Sequence, residues 1–79
     1  DALVGDIKKT LRWMVNHGVA DFNIQARMAN SLRQHIGCTR VDAITSGIDR
    51  ARLEAYYDHL QGLVTAHRAA AAGKENGHA

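Results

Sequence analysis

Apolar side chains recur at helical spacing in three stretches of this chain, and none alternates strictly over a strand's length. Across residues 2–17, Leu3, Ile7, Leu11, Met14 and Val15 form one stripe, with Val4 beside it. Lys8, Lys9 and Arg12 lie off that stripe, and Trp13 flanks it. Gly18 then suits a left-handed helix end. A second helix is predicted over 24–35. There Ile24, Met28, Leu32 and Ile36 repeat at one spacing with Ala29 alongside, Asp21 or Asn23 can cap the start, and Gly37 ends it. Thr39 can cap a short turn holding Val41, Ala43 and Ile44, with Asp42 as a weak capping-box partner. Thr45-Ser46-Gly47 reads as a loop. A third helix is predicted from near Asp49 to about Ala70. Its inner face is Leu53, Tyr56, Tyr57, Leu60, Leu63, Val64 and His67, and Gly62 weakens it.

The expected fold is therefore all-α: a compact three-helix domain plus one short helical turn, helix-turn-helix-like. Residues 1–72 read as one helical domain and 73–79 as a disordered tail with nothing to bury. The chain has no proline to interrupt its helices. With 79 residues it holds one small core and leaves little room for a deep catalytic cavity. No apolar run approaches the roughly 20 residues that span a bilayer, so no membrane partner is expected. The chain begins at Asp1 without a signal-like segment and reads as an excised domain or processed chain. A single cysteine, Cys38, excludes an internal disulfide scaffold and favours a reducing, cytoplasmic setting.

Net charge is only +2, but it is unevenly spread. Between residues 7 and 40, six bases (Lys8, Lys9, Arg12, Arg27, Arg33 and Arg40) face one acid, Asp21, a local charge of +5. The six residues before hold −2 and everything after holds −1. A basic front half points either to an anionic partner or to a solvated basic face. The second helix adds chemistry to that charge. Its polar side carries Gln25, Arg27, Asn30, Arg33 and Gln34, the residue types that bond base edges and phosphates. Lys8, Lys9 and Arg12 on the preceding helix would engage phosphates, with Arg40 at the groove's edge. That is the division of labour in a helix-turn-helix, where one helix positions and the next reads.

Other constellations point to less. His35 and Cys38 stand three apart, but a structural zinc site needs four ligands and no second paired motif exists. Glu54 and Asp58 share a helix face without a pocket to tune them. No phosphate loop or dinucleotide fingerprint occurs, so no catalytic residue, metal or cofactor is expected. The face from Leu53 to Val64, with Tyr56, Tyr57, Leu60 and Leu63, is wider than one partner helix needs. It serves either a homodimer or helical partner, or the packing of both earlier helices.

One stretch carries a family resemblance. Residues 32–44, LRQHIGCTRVDAI, followed by 53–60, LEAYYDHL, resemble the C-terminal helical domain of phage and prophage antirepressor-type regulators. That family shows a helix ending in a His-aromatic-Gly-Val phrase, then a short amphipathic turn and a helix with apolar spacing. Here Ile36 and Cys38 stand in place of the aromatic residue and Val, and the likeness spans residues 27–60. The resemblance implies a small accessory domain of a DNA-associated regulator, with no catalytic residue. The functional expectation is thus a DNA-binding or DNA-associated transcriptional regulatory module using a basic helix pair. The alternative is a helical protein–protein interaction or dimerisation module.

Overall fold

The computed structural model describes residues 2–19, 22 and 24–76, with side chains to residue 72. Three helices form: α1 (Ala2–Asn16), α2 (Gln25–Ile36) and α3 (Arg50–Asn76). A 3₁₀ turn at Val41–Ala43 sits between α2 and α3. No strand occurs among the described residues. The all-α architecture of three helices and a short turn is the one the apolar spacing predicts.

Both shorter helices pack against α3, which explains its wide apolar face. Leu53, Tyr56, Leu60 and Val64 of α3 are buried against Val4, Ile7, Leu11 and Met14 of α1 and Leu32 and Ile36 of α2. Val19, Phe22 and Ile44 complete this core. Tyr57, Leu63, Met28, Leu3 and Trp13 pack half-buried around it. Thr10 and Gln61 tie α1 to α3, the Gln61 amide donating to the Thr10 hydroxyl at 3.5 Å.

Two helix ends use the backbone freedom of glycine. Gly18 follows α1 with φ +64°. Gly37 caps α2 with φ +76°, and its N–H reaches the carbonyls of Leu32 and Arg33.

Details differ from the sequence reading where exposure and local pairing decide. Val15 and Ile24 sit on the expected stripes but remain 43% and 46% exposed; Val15 lines a surface groove with Met28 and Val41, and Ile24 is the N-cap of α2. The N-cap of α2 is Ile24, with no side-chain cap; the expected caps Asp21 and Asn23 lie outside the described residues. Thr39 does not cap the 3₁₀ turn: Arg40 holds that position, and Asp42 pairs with its guanidinium at 3.4 Å. α3 continues as helix to Asn76, since Ala69–Ala72 are strong helix formers and carry the backbone past the expected domain end. The last of the expected tail, residues 77–79, lies outside the described residues. Among the described residues no helix is long and apolar enough to cross a membrane.

Candidate nucleic-acid interface

The polar side of α2 is set by its buried side. Leu32 and Ile36 point into the core, so residues about half a turn away point outward. Arg27, Asn30 and Gln34 therefore stand in a row on the exposed surface, and they line a groove shared with α3. The groove measures about 620 Å³. Phe22, Ala26 and Leu63 supply its apolar wall, and Ser31, His35 and His59 its remaining polar lining. None of its described lining residues is acidic.

Aromatic stacking joins α2 to α3 at one end of this groove. The His35 ring stacks on His59 with centroids 4.6 Å apart and on Tyr56 at 5.1 Å. The Tyr56 hydroxyl lies 3.4 Å from the Ser31 hydroxyl. Burial first, and the neighbouring His59 second, lower the pKa of His35. Burial also raises the Tyr56 hydroxyl, a shift that its Ser31 contact opposes.

The remaining expected contacts are scattered. Gln25 is exposed in the first turn of α2, and Arg33 in its last; neither lines this groove. Lys9 lies in a second groove with Thr10, Trp13, Gln61, Val64 and Arg68. There the Arg68 guanidinium sits over the Trp13 ring at 4.9 Å, and His17 stacks on that ring at 4.0 Å. Arg12 lines a third groove, with Val15, Met28, Val41 and the acid Asp42. Lys8 is half-buried on α1, and Arg40 is exposed but ion-paired to Asp42. The basic front half of the sequence is thus divided among three surfaces.

The expected interface residues of α3 are taken up largely within the chain. Leu53, Tyr56, Leu60 and Val64 lie in the core, and Tyr57 and Leu63 are half-buried against it. Cys38 is a half-buried free thiol. Burial pushes its pKa up, and backbone hydrogen bonds offset this only in part, so the thiol stays protonated and weakly nucleophilic. Among the described residues no group of three or more His, Cys, Asp or Glu side chains is placed to hold a metal ion.

Sequence reasoning missed the His35–Tyr56–His59 stack and the Trp13 cluster. Tyr56 and His59 are visibly neighbours on one helix, but the partner ring comes from α2, and only the packing of α2 on α3 brings it there. No protein-family model, curated protein or solved structure matches this chain.

Proposed function

We propose that the domain is a DNA-associated regulatory module that meets nucleic acid with the exposed face of α2. One observation carries this reading: Arg27, Asn30 and Gln34 stand side by side in a groove whose described lining holds no acid. An arginine and two amides in a row can donate to phosphate oxygens and can both donate to and accept from base edges. The resemblance of residues 27–60 to antirepressor-type regulators points the same way. In this reading α2 does the contacting, with Arg33 at its margin. Lys9 and Arg12 face other grooves and contribute only to the surrounding field. The domain binds and has no catalytic residue, and its free Cys38 fits a reducing, cytoplasmic setting.

The test is fluorescence anisotropy with duplex DNA at low salt. Binding at micromolar protein, weakened several-fold in Arg27→Gln, is the expected result. No binding of random or genomic duplex under those conditions overturns the reading.

A second reading, a protein-interaction module, is favoured by the exposed Val15 and Ile24. Val15 shares its groove with Met28 and Val41, so an apolar surface is present there. A concentration-independent monomer in sedimentation removes the homodimer form of this reading.

A further inference from the structure

The α2–α3 groove contains two features that the row of α2 side chains does not explain. One is the pair of stacked imidazoles, His35 and His59, one from each helix. The other is the kind of polar group around them. Arg27, Asn30, Ser31 and Gln34 can all donate hydrogen bonds, and no described lining residue brings a negative charge. Phe22, Ala26 and Leu63 add apolar surface to the lining. A cation finds no carboxylate among the described lining residues, and an apolar ligand would bury the Arg27 charge. The occupant that fits is compact, anionic and rich in acceptors.

We infer that this groove takes an oxyanion of the phosphate class together with a proton, the His35–His59 ring pair accepting the proton beside the fixed charge of Arg27. The inference rests on the nucleic-acid reading only for the source of the phosphate, which there is the diester backbone.

The physical reason is mutual repulsion. Two imidazoles with centroids 4.6 Å apart resist carrying two protons at once. Burial, and after it the neighbouring His59, already make His35 give up its proton more readily than an ordinary histidine. An oxyanion beside the rings attracts both charges and offsets their repulsion. Binding then draws a proton from the buffer onto a ring nitrogen, and affinity rises as pH falls. Among the described residues, Arg27 on α2 lines the same groove, the Tyr56 ring of α3 stacks on the pair, and Cys38 lies just beyond α2. Burial raises the pKa of Tyr56 and of Cys38 and keeps both neutral across this range. The histidines are therefore the groups that respond. An anion that raises the pair's pKa by about one unit binds about tenfold tighter below the transition than above it.

Calorimetry with inorganic pyrophosphate, and separately with a short duplex, tests this on the intact domain at about pH 5.5 and about pH 7.5. Buffers of different ionisation enthalpy report the proton taken up. Histidine ring resonances, followed by NMR with and without pyrophosphate, report where it goes. The expected result is tighter binding at the lower pH with proton uptake, and an upward shift in the titrations of His35 and His59. The resonances of His17, stacked on Trp13, and of His67, edge-on to it, should not respond to pyrophosphate. His59→Gln should lose the pH dependence and keep its helical circular dichroism, while His67→Gln keeps both. Pyrophosphate that leaves the His35 and His59 titrations unmoved overturns the proposal. So does equal loss of pH dependence in His67→Gln and His59→Gln. Duplex binding that ignores both pH and His59→Gln overturns it while leaving the nucleic-acid reading intact. Proton-linked pyrophosphate binding without duplex binding does the reverse, making the site one for a free phosphorylated anion.

Discussion

Gly37 and Gly62 are chemically identical and structurally opposite. Gly37 holds φ +76° at the end of α2, where a side chain would strain the backbone although a Cβ there would meet nothing within 4 Å. Its cost on substitution is therefore conformational, and Gly37→Ala should lose about 1 kcal/mol. Gly62 lies within α3, exposed, in ordinary helical backbone, and a Cβ there also meets nothing. Gly62→Ala should gain about 1 kcal/mol from helix propensity alone. In thermal unfolding, each kilocalorie moves the midpoint of a domain this size by roughly 4–8 °C, down for the first and up for the second. Core positions respond more strongly. Leu60 is fully buried between the helices, so Leu60→Ala should cost about 2–5 kcal/mol, read as a lowered denaturant midpoint.

At the scale of elements, the helices were legible because each buries one continuous stripe. Ile7, Leu11 and Met14, or Leu53, Tyr56, Leu60 and Val64, repeat at the helical period and end up in the core. The ends were less legible. Val15 and Ile24 obey the same period yet stay exposed, because periodicity alone does not tell which end positions of a stripe another element covers. The candidate site was half legible on the same grounds. The row Arg27, Asn30 and Gln34 follows from α2 alone, whereas the His35–His59 stack depends on how α2 lies on α3. That packing also makes a pH prediction. The folded domain holds the pKa of His35 below its ordinary value, while the unfolded chain keeps 6.5. The unfolded chain thus binds more protons as pH falls past that value, so stability is complete above it and declines below it. His35 is exposed, and solvent screens the effect and keeps the decline small. Thermal midpoints measured from neutral to mildly acidic pH should fall in the parent protein and flatten in His35→Gln.

On the scale of the whole molecule, the sequence misleads about charge because it is one-dimensional. Six bases within 7–40 suggest one basic face. The fold instead measures 48 × 24 × 17 Å and wraps three helices around a common core, which sends neighbours in sequence to different sides. Lys9 goes beside Trp13 and Arg68, Arg12 beside Asp42, and Arg40 into an ion pair. Arg27 and Arg33 remain as the fixed cations of α2. This division sets a number for the salt dependence of duplex binding. Each phosphate contact releases counterions and adds about −0.9 to the slope of log affinity against log salt. Six cations acting together would give a slope near −5, whereas contact through α2 alone gives about −2, deepening towards about −3 where the His35–His59 pair carries its proton. Binding measured across a salt series separates these cases. A slope near −2 at neutral pH, nearly unchanged in Arg12→Gln and reduced by about one in Arg27→Gln, is what a groove-centred contact requires. A slope near −5 that falls equally for both variants would mean that α1 and α2 reach the duplex together, and that the α2–α3 groove does not define the contact surface.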